Sequence, residues 1–183
     1  GKSKVADIML KQPPIPMESF PSFKSLGNIY EVISKNSIKA ESIIKEVKIK
    51  ASFLLNSGYS EKNIYIAHSS SINFFTDLLA TWKVKSTAIC IESSVGKTEL
   101  KHMTDIAKAD LFLIDHKKSN ENFFKTSKCL DLSNDIDIKK LEYRSNFKSF
   151  DLLDPILILF TSGSTGLPKG VVHTRKSLEN KWS

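Results

Sequence analysis

A chain of 183 residues with 40% hydrophobic content can bury one sizeable core, so one globular domain with an attached piece of a second is expected. The longest apolar run, Ile156 to Phe160, is far shorter than the roughly 20 residues a membrane span needs, and Gly1-Lys2-Ser3 leads into no signal-like hydrophobic region. The net charge of +7 comes almost wholly from lysine and shows no basic stripe interleaved with aromatics, so the expectation is a cytoplasmic protein without a nucleic-acid partner.

Residues 11–22, "KQPPIPMESFPS", carry four of the six prolines and no usable period, which predicts an extended lead-in over residues 1–22. From Ile38 the apolar residues Ala40, Ile43, Ile44, Val47, Ala51, Leu54 and Leu55 recur at helical spacing, with Gly58 as the stop. Three short apolar runs follow, "NIYIAH" at 63–68, "TAICIE" at 87–92 and "LFLID" at 111–115. Helical patterns separate them, Phe75, Leu78, Leu79 and Trp82 in the first and Leu100, Met103, Ile106 and Ala107 in the second. Strand, helix, strand, helix, strand with short joins predicts an α/β fold, a parallel sheet with flanking helices. That subdomain is expected over residues 23–150, with the polar stretches 116–128 and 133–150 as loops or edge elements around a small strand, "CLDL", at 129–132. Cys90 and Cys129 lack the spacing of a zinc or redox pair and read as small buried hydrophobes. Residues 151–183 read as a strand from Pro155, a glycine-rich loop, a partner strand "VVHT" and a helix starting near Lys176.

Two places could cradle phosphate. Gly96-Lys97-Thr98 follows a strand and precedes a helix, but a Walker loop needs a glycine where this chain has Ile91, so an ordinary turn is expected there. The second is "TSGSTGLPKG", residues 161–170. Gly163, Gly166 and Gly170 let consecutive amide N–H groups converge on an anion; Thr161, Ser162, Ser164 and Thr165 add hydroxyl donors, Lys169 a cation, and Pro168 stiffness. A set made only of donors and a cation suits a polyphosphate. His173 and Thr174 follow closely enough to count as possible neighbours, although strand packing explains His173 equally well. His68, His102 and His116 have no nucleophile at motif spacing and read as surface or structural histidines; no metal ligands are expected.

"TSGSTGLPKG", preceded by an apolar strand and followed by "VVHT", resembles the signature loop of the adenylate-forming superfamily: acyl- and aryl-CoA synthetases, adenylation domains of nonribosomal peptide synthetases, and beetle luciferases. The upstream order of elements resembles that family's N-terminal subdomain, with two departures: Lys83 to Ile91 holds neither Gly nor Pro, and Arg175 stands where histidine is frequent. The resemblance implies that a carboxylic acid attacks the α-phosphate of ATP, accompanied by Mg2+, giving an acyl-adenylate and pyrophosphate. A thiol acceptor, CoA or a carrier protein, then takes the acyl group. It implies that residues 161–170 bind the β- and γ-phosphates, with Lys169 assisting charge stabilisation, and that the adenine, ribose and acyl sites lie beyond Ser183. The expectation is therefore an N-terminal fragment, inactive alone. A non-catalytic nucleotide-binding or docking module is the alternative, and a phosphate-loop NTPase a weaker one.

Overall fold

The computed structural model describes residues 40–68, 72–91, 95–115, 127–148, 151–162, 166 and 168–180. The expectations placed on the lead-in, on His116 and on Gly163, Ser164 and Thr165 lie outside them.

Helix α1, Ala40–Asn56, carries the apolar stripe that the spacing predicts, with Ile43, Val47, Ala51 and Leu54 buried. It ends as expected at Gly58, whose φ of 83° is the left-handed conformation glycine adopts without a Cβ clash. The Tyr59 amide reaches the Leu54 carbonyl at 2.9 Å and the Gly58 amide reaches Leu55 at 3.2 Å, so two of the helix's last carbonyls are satisfied. Strand β1, Asn63–Ala67, leads through α2, Ile72–Lys83, to β2, Thr87–Cys90. Helix α2 closes with the same double bond pattern, but the left-handed residue is Lys85 at φ 61°, so the turn forms without a glycine. Helix α3, Lys97–Ile106, then leads to β3, Leu111–Ile114, and beyond it lies the two-residue β4, Cys129–Leu130.

The sheet order is β4-β3-β1-β2-β5-β6, where β5 is Pro155–Ser162 and β6 is Pro168–Thr174. Every pairing is parallel except β5 with β6. From β1 the chain steps outward to β2, then back past β1 to β3. Right-handed crossovers require such a reversal to put the two helices on opposite faces. Accordingly α1 and α2 cover Ile64, Ile66, Ala88, Leu111 and Leu113, while α3 places Leu100 and Met103 against Tyr65, Ile89, Phe112 and Ile114. The Tyr65 hydroxyl reaches under the end of α3 and donates to the Ala107 carbonyl, with the Met103 carbonyl at 3.1 Å.

The polar segment 133–148 runs back over α1 as an edge element. The Arg144 amide donates to Ser52 Oγ at 2.9 Å and Asn56 Nδ2 to the Glu142 carbonyl at 2.8 Å, with one 3-10 turn at Ile138–Lys140 capped by Asp137. Strand β5 is gripped at its start by Trp82 Nε1, 2.7 Å from the Ile156 carbonyl, and by Thr87 Oγ1, 2.8 Å from that of Pro155. Cys90 is buried and Cys129 half-buried; both are free thiols. Among the described residues no helix is long and apolar enough to cross a membrane.

Candidate functional site

In open parallel sheets ligands collect at the carboxyl edge, where loops leave neighbouring strands for opposite faces. Here β1 sends its chain to the α2 face and β2 to the α3 face, so that edge divides between β1 and β2, one strand from β5. Strand β5 has eight residues but pairs with β2 only through Leu157 and Ile158, so its far half is held mainly by β6. The β5–β6 ladder runs in register from Leu157–His173 to Ser162–Pro168, closing the hairpin at the carboxyl edge.

Thr161 and Ser162 are thus the last residues of β5, facing Lys169 and Pro168 across the ladder. Gly166 has φ 82°, the left-handed region expected of a loop glycine. Gly170 serves differently. It lies opposite Phe160, and a Cβ there would come within 3.3 Å of the Phe160 ring, so its bareness accommodates that ring within the hairpin. Pro168 is buried and Lys169 exposed. Thr174 faces Pro155 at the opposite end of β6, about 20 Å of extended chain from Pro168. Its hydroxyl accepts from the Ser177 amide at 3.1 Å while Ser177 Oγ accepts from the Thr174 amide at 3.0 Å, a reciprocal cap for helix α4, Arg175–Asn180. His173, half-buried, pairs with Leu157 one position earlier. The hairpin therefore gathers Thr161, Ser162, Gly166, Pro168, Lys169 and Gly170 at one end and leaves His173 and Thr174 at the other.

Gly96, Lys97 and Thr98 start α3, with Gly96 as a cap that offers no side-chain hydrogen bond. Ile91 is buried, and its amide extends the sheet by donating to the Ile66 carbonyl at 3.0 Å. Farther along α3, His102 places Nε2 3.0 Å from the Pro168 carbonyl and ties the helix to the hairpin.

Sequence reasoning missed one cluster. Lys50, fully buried in α1, sets Nζ 2.7 Å from Asp77 Oδ1 and 2.8 Å from Thr76 Oγ1. The other Asp77 oxygen lies 2.6 Å from Nε2 of His68, which directly follows β1. His68 Nδ1 is buried without a hydrogen-bond partner among the described residues. The signal was present: Lys50 interrupts the Val47–Leu54 stripe of α1, and Asp77 the Phe74–Leu78 stripe of α2. Among the described residues no three His, Cys, Asp or Glu side chains gather as a metal site.

A doubly covered α/β sheet with a glycine- and lysine-bearing hairpin at its carboxyl edge is the class of fold that the chain adopts. The sequence model described as "AMP-binding enzyme" matches residues 43–182, and the chain belongs to that family. Malonate–CoA ligase of Arabidopsis thaliana is 30% identical over 138 residues, covering 64% of this chain and 21% of that protein. A probable CoA ligase of Humulus lupulus is 30% identical over 137 residues, covering 62% and 22%. The chain thus spans about a fifth of the length of these curated relatives. Among solved structures, the N-terminal subdomain of Klebsiella oxytoca NpsA matches with TM-score 0.63 at 22% identity over 76% of this chain and 36% of that one. O-succinylbenzoate coenzyme A synthetase of Bacillus subtilis in complex with AMP matches with TM-score 0.65 at 15% identity, over 75% and 36%. At these identities the likeness establishes the fold, that of an adenylate-forming N-terminal subdomain.

Proposed function

We propose that this chain is the N-terminal, phosphate-gripping part of an ATP-dependent ligase that activates a carboxylic acid as its acyl-adenylate. The observation that supports the reading is the β5–β6 hairpin, which ends with Thr161 and Ser162 opposite Lys169 and Pro168 at the carboxyl edge of the sheet, in a chain of the AMP-binding enzyme family. In the proposed reaction a carboxylate oxygen attacks the α-phosphorus of ATP, and the bond to the bridging oxygen breaks. The electron pair leaves with pyrophosphate. Thr161, Ser162, Gly163, Ser164, Thr165 and Gly166 donate to the β- and γ-phosphates, and Lys169 offsets the charge gathering on the leaving group. Mg2+ enters with ATP as part of the substrate. The acyl group then passes to a thiol, with AMP as leaving group; the CoA ligases among the relatives support CoA as acceptor, and a carrier protein is the other form of the same chemistry. Both cysteines are free thiols, which agrees with a cytoplasmic setting for an ATP-consuming enzyme.

The test is ATP–pyrophosphate exchange against a panel of carboxylic acids. The complete protein carrying this sequence is expected to exchange with at least one acid, and the 183 residues alone with none. Exchange by the short chain would overturn the fragment reading, and hydrolysis of ATP to ADP would overturn adenylation.

A further inference from the structure

His102 stands in the second turn of α3, half-buried, with Nε2 3.0 Å from the carbonyl oxygen of Pro168. A carbonyl only accepts, so Nε2 carries the proton, whether the ring is neutral or an imidazolium. The bond joins residues 66 apart in the chain, and it is not needed to close either element: α3 is anchored by Leu100 and Met103, and the hairpin by its ladder. What it holds is specific. Proline fixes its own φ, so the main freedom left at residue 168 is ψ, the rotation that turns the Pro168–Lys169 peptide plane. Fixing the oxygen of that peptide fixes its N–H as well, and with them the direction in which Lys169 departs from the return strand.

We infer that His102 is a positioning residue for the phosphate loop: its Nε2–H clamps the Pro168 carbonyl and so sets the peptide plane from which Lys169 projects. The inference rests on the reading of residues 161–170 as the ATP phosphate loop. A helix whose start imitates a phosphate site thereby acts on the phosphates through its second turn, at one remove.

The experiment uses the complete protein and the variants His102→Phe, His102→Gln and Lys169→Ala, with MgATP affinity measured by calorimetry, exchange kinetics, and thermal melting. His102→Phe is expected to raise the MgATP dissociation constant and the KM for ATP about three- to tenfold, the span covered by the net contribution of one hydrogen bond. His102→Gln, whose amide can donate to the same oxygen, is expected to return both to within about twofold of the parent. Equal losses in Phe and Gln, or unchanged ATP affinity in Phe beside a clear loss in Lys169→Ala, would overturn the positioning role alone. If Lys169→Ala itself leaves nucleotide affinity and exchange untouched, the phosphate-loop reading falls and takes the inference with it. Should His102→Phe fail to fold, nitrogen-15 NMR of the parent decides: a His102 ring proton on Nε2 supports the clamp, and one on Nδ1 alone refutes it.

Discussion

Lys50 and Lys169 occupy opposite ends of this molecule's electrostatic range. Lys50 lies under the α1–α2 layer at zero exposure, held by the Asp77 carboxylate at 2.7 Å and the Thr76 hydroxyl at 2.8 Å. Lys169 stands on the hairpin at the surface, one residue past a proline whose carbonyl is held by His102. Removing an ammonium from water costs several kcal/mol, so the buried lysine persists only while its partners compensate it, and it answers to the fold. Water and dissolved anions reach an exposed ammonium, so under the proposed function the surface lysine answers to a ligand. The same charge is a structural obligation in one place and, under the proposed function, a chemical resource in the other.

The largest effect should come from unpairing the buried site. Asp77→Leu strands the Lys50 charge and is expected to destabilise the protein by about 3–5 kcal/mol, read as a fall in melting temperature. The double variant Lys50→Met, Asp77→Leu should recover the part of that loss due to the unpaired charge, because an apolar pair of similar volume needs no compensation, and keep the cost of the His68 Nε2 left without Asp77. A double variant as unstable as the single one would mean that the loss comes from His68 and from packing instead of the Lys50 charge. On the hairpin the pattern should invert. Lys169→Ala is expected to slow adenylate formation by about 100-fold, as removal of one preorganised charge-stabilising group does, with the melting temperature unchanged. A melting shift there comparable to that of Asp77→Leu would erase the distinction between the two lysines.

The contrast also explains what the amino-acid sequence reveals. Helix α1 is legible because Ile43, Val47, Ala51 and Leu54 repeat on one face and Gly58 ends it, all within a few turns of chain. The three central strands are legible as short apolar runs bounded by polar residues, and the glycine-rich hairpin by composition alone. Lys50 and Asp77 are visible as interruptions, yet each is intelligible only beside the other, and the sequence does not state that α1 packs on α2. Strand order is likewise non-local: nothing near Pro155 announces that β5 will lie beside β2. Gly170 was legible as necessary but not in its reason, since the Phe160 ring it accommodates comes from the opposite strand. His102 belongs to the same kind of blindness, its partner lying far along the chain.

The helix-covered face should also show itself in alkali. Burial pushes the Cys90 thiol up from 9.0 to about 12, and the half-buried Cys129 up from 9.0 to about 11. A thiol harder to ionise when folded stabilises nothing extra below the unfolded value and loses ground as pH rises past it, because only the unfolded chain can then shed the proton. Cys90 should therefore cost stability from about pH 9 upward, approaching 1.4 kcal/mol per pH unit until the folded thiol itself ionises near 12. Urea unfolding between pH 8 and about 10.5 should show Cys90→Ala with a shallower decline than the parent. Parallel declines would mean that solvent reaches the Cys90 thiol in the folded protein.

The smallest effect is the most discriminating. Lys97 follows Gly96 and Lys169 follows Pro168 at the same edge of the sheet, and both stand at the start of an element that leads away from it. They differ in what precedes them. At Ile91, where a Walker loop needs a glycine, the amide is still engaged in the sheet with the Ile66 carbonyl; before Lys169 the chain has turned through Gly166 at φ 82°. Lys97→Ala removes a solvated charge from the exposed first turn of α3 and leaves the His102 clamp in place. It is expected to change the exchange rate by less than about twofold, the scale of a screened surface charge. The two variants then form one experiment on one helix: a silent Lys97→Ala beside a weakened His102→Phe would support α3 acting through its second turn, and the reverse order would move the phosphate site to its first.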